Sequence, residues 1–452
     1  MTVARGQQNT SVFHRFPKAF MPEAVRGDGP YIVDSQGKRY LDASGGAAVS
    51  CLGHSHEPTI KAVQEAVAKL AFAHTSFFTN KASEDLAALL ANAAPGDLNH
   101  VYFLSGGSEA VETSLKLARQ YYVECGMPQR SRIIARRQSY HGNTLGALAA
   151  GGNLWRRKIY EPLLVEVSHI APCYAYREQA IGETEEEYSL RAAQELEAAI
   201  LEAGPETVMC FIAETVGGAT LGAVPPTKDY YKHIREICDK YGVLLILDEV
   251  MCGMGRTGSL FAYEDEGIIP DIVCIAKGLG AGYQPIGAVI ASSKIYDTIV
   301  GGSGFFHHGH TYTAHPTACA AALAVQTAIQ NDNLLENVRL RGEQLRGKLE
   351  ARFGQHRHVG DIRGRGMFLA MEFVADRETK KPFGAEHQFA NQLKKVALEN
   401  GLICYPAGGL LDGKIGDHVL LAPPFILEER HLDEIVEKLA ESAETVLDRI
   451  HG

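Results

Sequence analysis

Apolar residues along this chain fall into two patterns. Short blocks of branched aliphatics at 101–104, 133–135, 208–213, 243–247 and 271–276 are each closed by a charged or glycine-rich segment. Blocks of this kind read as strands buried on both faces of a sheet. Between them, 60–70, 81–93, 109 to about 122, 188–203 and 316–329 carry apolar residues at helical spacing. An acidic run at 183–187 reads as the solvated start of the 188–203 helix. Strands alternating with helices predict an α/β fold, with a large, mainly parallel sheet flanked by helices. Past residue 330 a charged amphipathic helix at 331–354 leads out of this lobe. Strands at 367–373, 402–405 and 418–421 and helices at 385–399 and 428–449 then predict a smaller α/β domain. Residues 31–42 read as a hairpin turning at Gly37, and residues 1 to about 30 as a mixed segment over the surface. The division expected is 1–58 as the N-terminal segment of the small domain, 59–329 as the large domain and 330–452 as the C-terminal small domain.

Two of the strand blocks deliver charge where they end. The block 243–247 runs into Asp248 and Glu249, and 271–276 runs into Lys277 and then Gly278-Leu279-Gly280-Ala281-Gly282. In open α/β sheets, ligands bind beyond the carboxyl ends of the strands, so this carboxylate and this amine can face one ligand. A lysine among small residues in a closed pocket is desolvated and becomes nucleophilic, which suits Schiff-base formation with an aldehyde. An acidic partner for a pyridine nitrogen is the other recurrent need of a pyridoxal phosphate site. The competing reading is an ordinary Lys–Asp ion pair at the sheet edge.

Further motifs bear on this choice. Ser105-Gly106-Gly107-Ser108 runs from a strand into a helix, a glycine-rich turn whose free N–H groups bind phosphate. Residues 104–109 also resemble the LSGGQ element of transport ATPases, but no G-x-x-x-x-G-K-[ST] loop exists, which excludes nucleotide hydrolysis. Tyr140-His141-Gly142 lies at another strand end, where an aromatic ring can stack on a pyridine. Residues 253–258 satisfy G-x-G-x-x-G, yet Asp248-Glu249 stands between strand and glycines and no full βαβ unit follows. His54 and His56, and His307, His308 and His310, lack a Cys or carboxylate at fixed spacing, so no metal site is expected.

Together the motifs resemble class III aminotransferases, the ω-transaminase group of fold-type I pyridoxal-phosphate enzymes. The resemblance rests on Asp248-Glu249-Val250-x-x-Gly253-x-Gly255-Arg256-Thr257-Gly258 with Lys277, on Gly45-Gly46 with Gly53-His54, and on 105–110. It also rests on Tyr140-His141-Gly142, Thr311-Tyr312-Thr313-Ala314-His315-Pro316 and Ala422-Pro423-Pro424, and so spans the chain in family order. It implies pyridoxal 5'-phosphate as cofactor, with a Schiff base on Lys277, which then acts as general acid/base. Asp248 would hold the pyridine nitrogen, Tyr140 and Val250 the ring faces, and Gly107 and Ser108 the phosphate, with His141 and Glu214 alongside. Thr311 would reach the phosphate of a partner subunit. Ala47 and Ala48 would border the substrate pocket, a role weighed equally against plain turn chemistry, and Phe77 or Phe78 would lie at its mouth. Two departures stand out. Thr215 replaces the proline that usually follows the family's strand-end glutamate. The stretch Leu411-Asp412-Gly413-Lys414-Ile415 lacks the family's carboxylate-binding arginine, so either Lys414 substitutes poorly or another residue serves.

The implied reaction moves an amino group from an amine or ω-amino acid to pyruvate or 2-oxoglutarate by a ping-pong cycle. The alternatives are another reaction of the same cofactor, decarboxylation-dependent transamination or amino-group migration, and more distantly a nucleotide-binding or non-catalytic protein. The implied assembly is a homodimer with shared sites, or a tetramer. Composition agrees: 452 residues suffice for a large core, and a net charge of −10 offers nothing to nucleic acid or an anionic membrane. No apolar run reaches 18 residues, and the first residues lack the apolar core of a signal peptide. Nine cysteines without a C-x-x-C pair read as buried thiols of a cytoplasmic protein.

Overall fold

The structure, a computed structural model, describes residues 10–19 and 21–451. The first nine residues of the N-terminal segment therefore lie outside the described residues. Strands β1 (Ala24–Asp28), β2 (Tyr31–Asp34) and β3 (Arg39–Asp42) open the chain. Strands β4 (Leu98–Leu104), β5 (Arg132–Arg136), β6 (Ser168–Ile170), β7 (Val208–Glu214), β8 (Leu244–Asp248), β9 (Ile272–Ile275) and β10 (Gly287–Ser292) form the central sheet, in the order β4-β10-β9-β8-β7-β5-β6. Strands β11 (Val359–Arg365) and β12 (Phe368–Phe373) precede β13 (Leu402–Ile403), β14 (Tyr405–Leu411) and β15 (Ile415–Leu421). Of these, β11-β12-β15-β14 make an antiparallel sheet, while β13 pairs in parallel with β3, Leu402 opposite Leu41.

The central sheet is parallel except at β10, which runs antiparallel to both β9 and β4. Its residues GAVIAS are all buried, but only a single 3-10 turn, Lys277–Leu279, and no crossover helix separates β10 from β9. Without a crossover the chain can only return alongside in the opposite sense. The helical spacing misses this strand. It also misses β1, inside the segment read as mixed, and β11, whose inward residues alternate with glycine and charge.

Other boundaries move for local reasons. The helix expected from 188 begins at Glu185, because Thr184 and Glu187 form a capping box: the Thr184 hydroxyl accepts the Glu187 N–H at 3.2 Å, and Glu187 Oε2 accepts the Thr184 N–H at 2.8 Å. Glu185, Glu186 and Glu187 of the acidic run therefore lie within the first turn, and Glu183 precedes the cap. The segment 402–405 is two strands rather than one, with Cys404 the corner at which the chain passes from the first sheet to the third. Residues 385–399 split at Gln388, whose φ of 45° ends a single turn before the helix Phe389–Glu399.

Eight of the nine cysteines are buried and all are free thiols; Cys125 is half-buried. Among the described residues no helix is long and apolar enough to cross a membrane.

Candidate active site

Three adjacent parallel strands end together on one side of a cavity of ≈ 350 Å³. The pairing puts Glu214 opposite Asp248, and Asp248 opposite Cys274, three residues before Lys277. β7, β8 and β9 thus present Glu214, Asp248 and Lys277 side by side because each block of branched aliphatics stops at the same level. Lys277 sits at φ 44°, in the left-handed region that a non-glycine side chain rarely adopts. Strain of this kind persists only where the surroundings over-determine it. Here they do: a Cβ on the next residue, Gly278, would lie 3.1 Å from Cys51 Sγ and 3.2 Å from Met254 Cβ.

Burial pushes the Lys277 amine down to about 8, against the opposing pull of Asp248 and Glu214. Asp248 is braced from two directions. Its Oδ2 lies 2.7 Å from His141 Nδ1 and its Oδ1 accepts the Val250 N–H at 2.9 Å. His141 Nε2 is buried without a partner, so that ring serves Asp248 alone among the described residues. Glu214 fixes the turns beside the cavity: Oε1 accepts the Gly218 N–H at 2.9 Å and Oε2 the Tyr140 N–H at 3.3 Å. Its burial, with Asp248 close by, raises its carboxyl despite His141 and Arg136.

Opposite the lysine, the helix Gly107–Glu124 starts at the cavity wall. Gly106 precedes it in extended backbone, and no side chain caps it. The first-turn N–H groups, with the positive end of the helix dipole, are therefore open to the cavity. Close approach explains the glycines here. A Cβ on Gly107 would meet Val250 Cγ1 at 2.7 Å. One on Gly142, at φ 134°, would meet Ser108 Oγ at 2.6 Å. Ser108 Oγ accepts the Asn143 N–H at 3.0 Å, joining the helix start to the Tyr140-His141-Gly142 turn.

Lys277, Asp248, Glu214, Tyr140, His141, Val250, Gly107 and Ser108 all line this one cavity. The remaining candidates do not. Thr311 is exposed, and Phe77 and Phe78 are 79% and 68% exposed on the surface. Ala47 is half-buried away from the cavity lining, Ala48 is buried in a cluster with Val216, Met251 and Ala422, and it is Val49 that reaches the cavity. Gln284, Pro285 and Ile286, after the glycine-rich turn, complete the wall. Sequence reasoning passes over them because nothing in their spacing marks them.

The Thr215 departure has a structural answer. Its hydroxyl donates to Glu249 Oε1 at 2.8 Å; Glu249 also accepts the Ala262 and Tyr263 N–H groups, at 2.7 and 2.8 Å. Burial raises the Glu249 carboxyl to about 7. Thr215 and Glu249 thus tie the turn after β7 to the loop after β8. Three of the five histidines have ordinary partners: His54 Nε2 lies 3.0 Å from Asp42 Oδ2, His56 Nδ1 2.8 Å from Thr59, and His308 Nε2 2.8 Å from Thr113, while His310 Nε2 is buried without a hydrogen-bond partner among the described residues.

A model of the family described as aminotransferase class-III matches residues 15–442. An aminotransferase of Schizosaccharomyces pombe is 45% identical over 443 residues, covering 97% of this chain and 96% of its own. An (S)-enantioselective omega-transaminase from Thermomicrobium roseum superposes with a TM-score of 0.90 at 36% identity, over 96% of this chain and 94% of its own. The omega transaminase from Pseudomonas jessenii, in complex with PMP, gives 0.90 at 34% identity over 95% and 94%. Class III aminotransferases use pyridoxal phosphate, and the α/β architecture here is their fold type I. The chain belongs to the class III aminotransferases.

Proposed function

We propose that this enzyme transfers an amino group from an amine or ω-amino acid donor to a keto acid, pyruvate or 2-oxoglutarate, in two alternating half-reactions on one cofactor. The observation that carries the reading is the meeting of a desolvated Lys277 with a braced Asp248, opposite an uncapped helix N-terminus.

The donor set fits pyridoxal 5'-phosphate. Gly107 and Ser108 offer first-turn N–H groups to its phosphate, and Asp248 a carboxylate to its pyridine nitrogen. Val250 and Tyr140 offer the two sides of a slot for its ring, and Lys277 an amine for its carbonyl. Once bound, it supplies the carbonyl that receives the amino group and a ring that withdraws electron density from the substrate carbon. His141, through Nδ1, holds Asp248 at the orientation in which that nitrogen stays protonated. Glu214, through Oε2, holds the Tyr140 turn. Lys277 Nζ, with its basicity lowered to about 8, would take the proton from the substrate carbon near neutral pH and, as the conjugate acid, would deliver it to the cofactor carbon that keeps the amino group.

Two further readings belong with this one. Residues 1–58 and 330–452 act as a small domain beside the large domain 59–329, supported by the β3–β13 pairing and by an apolar core that joins Leu41 and Leu52 to Leu402 and Leu432. Two copies pair in a homodimer, Thr311 of each completing the other's phosphate site; its exposure on the loop before Pro316 supports this.

The protein purified with pyridoxal phosphate should absorb in the near-ultraviolet or visible. Borohydride should fix the cofactor to one peptide containing Lys277, and an amine donor alone should yield a single stoichiometric turnover. A reduced adduct on any other lysine overturns the assignment.

A further inference from the structure

The stretch 411–415 lacks an arginine, yet the structure brings one to the same place from another element. Gly413 packs against the short helix Leu154–Arg157: a Cβ on it would lie 2.9 Å from the Trp155 backbone N. That helix carries Arg156, whose guanidinium lies over the Tyr140 ring, 4.8 Å from its centroid, with the Trp155 ring 5.9 Å away. Tyr140 lines the Lys277 cavity, while Arg156 lines the cleft of ≈ 420 Å³ next to it, with Tyr405 and Lys414. Arg156 thus lines the second cleft and touches, through the Tyr140 ring, a wall of the Lys277 cavity.

Its pairing sets it apart. The neighbouring Arg157 is engaged by the Ala149 and Gly151 carbonyls at 2.6 and 2.8 Å. Among the described residues the Arg156 guanidinium has ring contacts but no carboxylate or carbonyl partner. A half-buried guanidinium held by aromatic faces keeps its planar fork of N–H donors free for an incoming carboxylate. Its charge also reaches Lys277, where it opposes protonation of the amine. The three other cations of the cleft, Arg15, Lys394 and Lys414, are exposed.

We propose that Arg156, seated on Tyr140 at the wall of the Lys277 cavity, binds the carboxylate of the substrate, doing from the 154–157 helix what the 411–415 loop cannot. The substrate class is then a carboxylate-bearing amine and its keto acid acceptor, taken in turn by the same guanidinium. This rests on the aminotransferase reading above.

The test compares wild type with Arg156→Gln and Arg156→Lys as cofactor-loaded proteins, in single half-reactions. The donors are an ω-amino acid and a matched amine without a carboxylate, and pyruvate serves as acceptor. Loss of one charge-assisted contact should raise KM for the ω-amino acid and for pyruvate roughly 10- to 100-fold, with the neutral amine changed less than about twofold. Arg156→Lys should recover only part of the loss. Succinate, which cannot react, should inhibit wild type competitively and lose a similar factor against Arg156→Gln. Unchanged KM for pyruvate and the ω-amino acid overturns the proposal. So does an equal loss on the neutral amine, since that marks Arg156 as a support for Tyr140. Lys414→Ala, Lys394→Ala and Arg15→Ala should leave KM for pyruvate in place, and a matching rise in any of them moves the role to that residue. If wild type turns over no amine at all, it is the aminotransferase reading that fails.

Discussion

At the scale of single residues, the site is organised by what burial does to one amine and what bracing does to one carboxylate. The folded Lys277 amine sits near 8, below its ordinary value of 10.5, because desolvation outweighs the attraction of Asp248 and Glu214. Between those two values the unfolded chain holds a proton that the folded apo-protein has released, so stability rises with pH across that window. Below about 8 the cost of the buried ammonium is fully present. The apo form of Lys277→Met should therefore melt at a higher temperature than wild-type apo-protein at pH 7, and the gap should shrink as pH rises past 8. Calorimetric scans over that range check the sign; a variant less stable at pH 7 would show that the ion attraction dominates instead. Asp248→Asn tests the other half. The amide keeps the shape and an acceptor for the Val250 N–H, but it cannot hold a proton on a pyridine nitrogen. The variant should retain cofactor and lose transamination by several orders of magnitude. Near-normal turnover would reduce Asp248 to a structural partner of His141.

At the scale of elements, the geometry comes from strands that stop in register and from the turns tied together beyond their ends. Thr215→Val is nearly isosteric, yet it leaves Glu249 Oε1 without its hydroxyl donor in a buried loop junction. A loss of about 1–3 kcal/mol in unfolding free energy is expected, with Thr215→Ser retaining most of the stability. Denaturant midpoints for the pair measure it, and equal stability of Val and Thr would remove the tie from the account. This tie also marks where sequence reading stopped. The strand blocks, Lys277, Asp248 and the glycine turn at Gly107 were legible because each arises from local pattern: apolar run, charged stop, free N–H groups. The partnership of Thr215 with Glu249, 34 positions apart, was not. Nor was the placing of Arg156 on Tyr140, since pairing across turns is decided by packing and leaves no local period. β10 escaped for a related reason: its buried apolar run has only a single 3-10 turn and no crossover helix between it and β9, so only the observed pairing reveals its direction.

At the scale of the whole molecule, five expected site residues, Ala47, Ala48, Thr311, Phe77 and Phe78, stay outside the cavity of their own chain. Thr311, Phe77 and Phe78 are all exposed, and Tyr312 of the Thr311 loop contacts Phe72, with ring centroids 5.8 Å apart. A cleft of ≈ 430 Å³ runs from Ser105, at the glycine-rich turn before the Gly107–Glu124 helix, to Tyr312 and His315 on this face. The cofactor phosphate brings close to two negative charges to one helix N-terminus, whose dipole supplies about half a unit, so further donors are needed. A second copy laid on this face brings them if its Thr311 enters near Ser105. Cofactor binding and pairing are then linked, and each strengthens the other. Mixing two variants tests this: Lys277→Ala, which lacks the amine, and Thr311→Val, assayed at limiting cofactor, where its weakened phosphate site is inactive. In an exchanged pair one site carries both changes and the other carries neither, so up to half the normal activity per exchanged pair should return. The regained activity should track the fraction of mixed pairs seen by native mass spectrometry. No recovery despite confirmed exchange, or full activity in a species that sediments as a monomer, would place Thr311 outside the site.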